Sequence, residues 1–267
     1  MNALVPDFLQ TALAPEKWAA FVLITARVGG FLFTAPGYSG SMMPSAVRTA
    51  ITVLLALFLL PAAPSMPLPD AALDLPLPLL AELAIGMVLG LSAAVLVQAL
   101  AHAGEVMSLQ MGLSIAPALS PVPEMQVVGL GQITSLFAVV LYLGMGGHLL
   151  LLRGLAESIR LLPPGGGYAL DAGGETAIRL ASQLFACAVS AAAPVLVALL
   201  LTNIAMAIMG RAVPQMNAMM MSFPITVGVG LLTFGLSLPI VAATVTGWMY
   251  DLPAGITGLL DTLRPRG

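Results

Sequence analysis

An all-α, polytopic membrane protein of about six apolar helical stretches is the fold class this sequence predicts. Three observations carry it: 59% of the residues are hydrophobic, only 8% are charged, and breaks rich in Pro, Gly and charge separate six apolar runs. Soluble domains carry about a quarter charged residues. The nine Lys/Arg and twelve Asp/Glu present here cannot cover a water-soluble surface, and the mean hydropathy of +1.03 agrees. An open chain in a bilayer satisfies its own backbone only as helix, so each run is read as helix. One helical unit over residues 1–267 is simpler than two domains.

In chain order the stretches fall at 18–35, 46–60, 77–101, 126–152, 177–209 and 219–250. The second is about 22 Å long, while the fifth and sixth approach ~50 Å, against a hydrocarbon core of about 30 Å. Proline accounts for part of the mismatch. Pro194 lies inside the fifth stretch and Pro224 and Pro239 inside the sixth; each removes a backbone donor, so these stretches read as kinked or hairpin-like half-helices. The run from Pro163 to Gly167 reads as an exposed connection. Met1 to Glu16 holds Pro6, Asp7 and Pro15 but no basic residue, unlike a cleavable signal peptide, and is expected to stay attached. With six crossings, Lys17, Arg153, Arg160, Arg179, Arg264 and Arg266 fall on one side, and Arg48 and Arg211 on the other. That bias places both termini in the cytoplasm.

Polar exceptions inside the apolar runs mark where the chain needs partners. Arg27 sits midway along the first stretch, too far from either end to snorkel. It is expected to face a neighbouring helix or a partner subunit, with an intramolecular ion pair as the alternative. On the third stretch Glu82, Gly86, Gly90 and Ala94 recur every four residues, and Gly104, Ser108, Gly112 and Ala116 repeat the pattern downstream. Small residues at that spacing form one bare helix face that another backbone can approach, within the chain or outside it. Gln110 to Glu124 then mixes apolar residues with Gly112, Pro117, Pro121 and Pro123. It reads either as a plain connection or as a loop that lines or blocks a pore. Six methionines between Met206 and Met221 read first as core filling and second as an adaptable seal.

Several function classes are excluded or weakened. A net charge of −3 with scattered basic residues gives no field for nucleic acid. His102 and His148 lie far apart with no zinc motif, and no Walker sequence or cofactor motif is present. Cys187 is alone in an apolar run, so no internal disulfide can form. Gly112, Leu113 and Ser114 with His148 only caricature a serine protease. A small-molecule secondary transporter with Pro-broken helices is the rival reading, yet it would rest on Thr202, Asn203 and Thr226 with few other polar groups.

One element is more specific. Arg211, Ala212, Val213, Pro214, Gln215, Met216 and Asn217 form an R-x-x-P-Q-x-N sequence after a long apolar helix with Pro194 and Asn203, and before Phe223, Pro224, Gly228 and Gly230. Together with Arg27, Ala35, Pro36, Pro44, Arg48, Glu82, Ile85, Gly86, Gly90 and the Gly104 to Gly112 run, this order resembles the FliR family of flagellar and type III secretion export-gate subunits, from about Trp18 to Trp248. The resemblance implies a non-enzymatic, cofactor-free subunit in the bacterial inner membrane at the flagellar basal body. It implies assembly with FliP-like, FliQ-like and FlhB-like subunits, raised partly above the lipid plane, around a channel for unfolded export substrates. It further implies a plug at Gln110, Met111, Gly112, Leu113, Ser114, Pro117, Pro121 and Glu124. Subunit packing would fall to Arg27, Glu82, Gly86, Gly90, Gly104 and Ser108, and a structural turn to Arg211, Pro214, Gln215, Met216 and Asn217.

Overall fold

The computed structural model describes residues 17–38, 43–63, 76–113, 129–166, 168, 172–212 and 218–264. All regular structure among them is helical: α1 (Trp18–Thr34), α2 (Ser45–Leu59) with a 3-10 turn at Leu60–Ala62, α3 (Pro76–Gln110), α4 (Leu130–Gly144), α5 (Gly147–Leu161), α6 (Ala172–Ala212) and α7 (Ala218–Thr262). Each of the six predicted stretches is therefore built of helix where it is described, the fourth as two helices. Four helices are long and apolar enough to cross a membrane, or five if α4 and α5 count as one broken span. At 17 residues, α1 is a shorter apolar helix.

Two boundaries differ from expectation. The third helix does not stop near residue 101 but runs on to Gln110, because Gly104 and Ser108, taken as a downstream echo, continue one helix face. The fourth stretch is not continuous. It breaks at Met145 and Gly146, where Gly146 takes the left-handed φ of 76° as the residue before α5, a conformation that costs other L-residues roughly 1–2 kcal/mol. By contrast, helix continues through Pro194 in α6 and through Pro224 and Pro239 in α7.

The chain divides into two compact units, each assembled from separated segments. The first takes residues 1–94, 145–180 and 250–267. Its core uses Ala20, Ile24 and Phe31 of α1, Ile85 and Leu89 of α3, Leu151 and Ile159 of α5, and Ile256 and Leu260 of α7. Lys17 donates from Nζ to the Ala63 carbonyl at 3.4 Å, tying the start of α1 to the end of the 3-10 turn. Helix α5 is amphipathic: Leu151, Leu155, Ser158 and Ile159 point inward while Arg153, Glu157 and Arg160 lie half-exposed or exposed on the other face. The second unit takes residues 95–144 and 181–249. Leu96, Leu100 and Met107 of α3, Ala138 and Tyr142 of α4, Val195 and Leu199 of α6, and Val241 and Val245 of α7 fill it.

Candidate functional site

Among the described residues the most elaborate polar arrangement is built where α1 and α3 meet backbone to backbone. Glycines make that approach possible. A Cβ on Gly86 would overlap the Arg27 carbonyl oxygen and lie 2.9 Å from the Phe31 nitrogen. One on Gly90 would lie 2.7 Å from the Phe31 carbonyl oxygen, and one on Gly30 would overlap the Leu83 carbonyl oxygen. The Thr34 hydroxyl, which also contacts carbonyls of its own helix, donates across the seam to the Met87 carbonyl at 3.0 Å. Small residues here serve packing within the chain.

That close seam places Arg27 beside Glu82, one turn before Gly86, with both side chains fully buried. Arg27 Nε donates to Glu82 Oε2 at 2.5 Å. Nη1 donates to the Ser158 carbonyl at 2.8 Å and faces Ser158 Oγ at 3.2 Å. Nη2 donates to the Leu162 carbonyl at 2.9 Å and to the Tyr168 hydroxyl at 3.0 Å. A guanidinium has five N–H groups, and each has an acceptor here. The other carboxylate oxygen, Glu82 Oε1, accepts from the Gly165 N–H at 2.9 Å and from the Tyr168 hydroxyl at 2.5 Å. The hydroxyl shares its proton with the Pro163 carbonyl at 2.6 Å. Burial pushes the Tyr168 phenol above its ordinary value, against the opposing pull of the Arg27 charge, so it remains a proton donor at neutral pH.

Within the chain Arg27 and Glu82 are withdrawn from the surface and form the intramolecular ion pair that was the alternative for Arg27. The Pro163 to Gly167 run is not merely an exposed connection either. Pro164 is buried, and Gly165, at φ 73°, turns its N–H onto Glu82.

In the second unit, Gly104 and Ser108 are also buried. A Cβ on Gly104 would lie 2.7 Å from Gly131 Cα, so this glycine seats α3 against α4. Helix α3 ends in a Schellman turn: Leu113 N–H donates to the Ser108 carbonyl and Gly112 N–H to the Leu109 carbonyl, both at 3.0 Å, with Gly112 at φ 78°. Met111 is buried with its side chain against Gly230 of α7, where a Cβ would come within 2.5 Å of its methyl. Of the residues expected in a plug, Gln110 closes α3 and Met111, Gly112 and Leu113 make the turn after it, whereas Ser114, Pro117, Pro121 and Glu124 lie outside the described residues. Replacing Gly112 by Ala should cost about 1 kcal/mol, and by Asn less, since only the left-handed conformation is penalised. Thermal unfolding of the detergent-solubilised variants checks the order. Arg211 is exposed in the last turn of α6, favourable for a cation; Pro214, Gln215, Met216 and Asn217 lie outside the described residues.

The polar groups a transporter would use are otherwise engaged or dispersed. Thr202 donates to the Ala198 carbonyl, Thr226 to that of Ser222, and Asn203 is exposed. Among the described residues no three His, Cys, Asp or Glu side chains cluster as metal ligands. His102 instead pairs with Glu105 at 3.1 Å on the exposed side of α3.

Comparison with known proteins agrees with this arrangement of long apolar helices. A family model described as bacterial export proteins, family 1, matches residues 18–252. The flagellar biosynthetic protein FliR of Pectobacterium carotovorum is 31% identical over 241 residues, covering 88% of this chain and 92% of that protein. FliR of Aquifex aeolicus is 29% identical, covering 84% and 87% of the two chains. The surface presentation of antigens protein SpaR of Salmonella typhimurium is 26% identical, covering 91% and 95%. A match that starts at the first residue of α1 and ends inside α7 spans nearly every helix of the fold, and this chain belongs to family 1 of the bacterial export proteins, the FliR family.

Proposed function

We propose that this chain is a non-enzymatic subunit of the flagellar type III protein export gate, helping to form the channel through which unfolded flagellar proteins leave the cell. The observation that carries the reading is the length of uncovered apolar helix. On α6, exposed apolar side chains run from Ile178 through Phe185, Val189, Val197 and Leu201 to Ile208. On α7 they run from Met221 through Leu232 and Leu236 to Tyr250. Each row extends about 45 Å at 1.5 Å per residue, whereas lipid hydrocarbon covers about 30 Å. Apolar surface beyond the lipid needs protein over it.

FliP-like, FliQ-like and FlhB-like chains are the partners that the family relationship suggests, in the bacterial inner membrane at the flagellar basal body. The plug reading assigns the segment from Gln110 to Glu124 to the channel, hinged at the Gly112 turn, and the bias of basic residues supports cytoplasmic termini. The saturated Arg27 centre supports a partly raised position. It seats the loop after α5 at the midpoint of α1, and non-helical backbone is not tolerated facing lipid.

The test is purification of the tagged chain in mild detergent, co-expressed with its genomic neighbours, followed by mass measurement of the intact particle. A large complex holding several other helical membrane chains is expected. A lone monomer or homodimer would exclude the gate reading.

A further inference from the structure

The loop after α5 carries a role that neither the family match nor the export reading assigns. Three observations converge on it. First, among the described residues Glu82 Oε1 accepts only from this loop, through the Gly165 N–H and the Tyr168 hydroxyl. Second, two of the five Arg27 donors end on it or on the last turn before it, at Tyr168 and Leu162. Third, the loop is stiffened at Pro163 and Pro164, turned at Gly165, and closed on itself by the Gly166 N–H to Pro163 carbonyl bond at 3.1 Å. The Tyr168 ring adds its face to the guanidinium, with Arg27 Cζ 6.0 Å from the ring centre.

We infer that Pro163 to Gly166, with Tyr168, form a strap that the Tyr168 hydroxyl latches over the Arg27–Glu82 pair, sealing the ion pair from water. The hydroxyl is the one group that touches all three parts: it accepts from Arg27, and donates to Glu82 and to the strap's own Pro163 carbonyl. Tyr168 is a positioning residue in this device. Its ring supplies area, while its oxygen supplies the latch. With the latch open, Glu82 Oε1 and Arg27 Nη2 each lose one hydrogen-bond partner, and weakening the partners of a buried charge is strongly unfavourable. Water then enters beneath the strap.

Ser158 is a built-in reporter, fully buried under the strap and close in size to cysteine. In a chain with Cys187→Ala and Ser158→Cys, reaction of the new thiol with a small methanethiosulfonate reagent in native membranes should be slow. Adding Tyr168→Phe, which keeps the ring and removes only the oxygen, should speed it at least ten-fold. A rate within a factor of two of the parent would overturn the latch, since it would mean that ring packing alone holds the strap. A second measurement uses the unaltered chain, in case the variant does not accumulate. The Gly165 amide, bonded to Glu82 Oε1, should exchange with deuterium at least a hundred-fold more slowly than a free amide in a Pro-Gly loop. Exchange at the free rate would overturn the proposal.

Discussion

Glu82→Gln should abolish accumulation of the folded chain in the membrane. The glutamine keeps an oxygen for the Gly165 N–H and the Tyr168 hydroxyl, but it removes the only negative charge paired with Arg27 and can turn an amide donor toward Arg27 Nε. Breaking one partner of a buried ion pair costs about 3–5 kcal/mol, a large share of the ~5–15 kcal/mol that holds a typical domain folded. The matching double variant, Arg27→Leu with Glu82→Leu, should recover part of that loss. Apolar replacement of both partners removes the unpaired charge, although the Leu162 carbonyl loses its Arg27 donor and the Ser158 carbonyl keeps only the Leu162 N–H. Steady-state membrane level and thermal unfolding in detergent measure both. Equal accumulation of Glu82→Gln and the parent would sink the assignment of the pair as the anchor of the first unit.

Gly86→Val should be nearly as severe, for a steric reason. The new side chain meets the backbone of α1, not a flexible side-chain tip, so α1 and α3 must separate to accept it. Overpacking of a filled seam costs about 1–3 kcal/mol by itself. Here separation also draws Arg27 away from Glu82, because the carbonyl that the valine strikes is Arg27's own. The two losses share a cause, so Gly86→Val and Glu82→Gln combined should cost clearly less than the sum of the singles. Gly228→Val on α7, where a Cβ meets nothing within 4 Å, is the control and should be well tolerated. Additive effects in the double variant would separate the seam from the ion pair.

What could be read from the sequence follows from what hydropathy senses. Composition reports burial in lipid or protein, so the helical character of the six stretches was legible, as was Arg27 as a residue in need of a partner. The glycines of α3 announced a close approach, and their contacts with Arg27 and Phe31 give it a direction that spacing alone could not. The break at Gly146 was hidden because the surrounding residues remain apolar; the signal was the pair Gly146 and Gly147, which hydropathy averages away. Prolines pointed to α6 and α7 as the places where helix would bend or break, and helix continues through them, a tolerance common in membrane helices. The strap was the hardest to see. Its Pro-Gly composition is that of any surface turn, and its partners lie on α1 and α3, 83 or more positions away. The one cue was a tyrosine placed directly after the glycines in a chain with only four.

The distance in sequence between Arg27 and its acceptors sets a schedule for synthesis. Leu162 follows Arg27 by 135 positions and Tyr168 by 141. At roughly 5–20 residues per second, a ribosome that has just added Arg27 needs on the order of 7–30 s to deliver them. The C-terminal segment that completes the first unit comes last of all. Throughout that interval the arginine has no finished site, so early entry of the nascent first helix into lipid would carry the cost of an unpartnered charge. Birth order thus makes the site of the N-terminal helix one of the last to be completed.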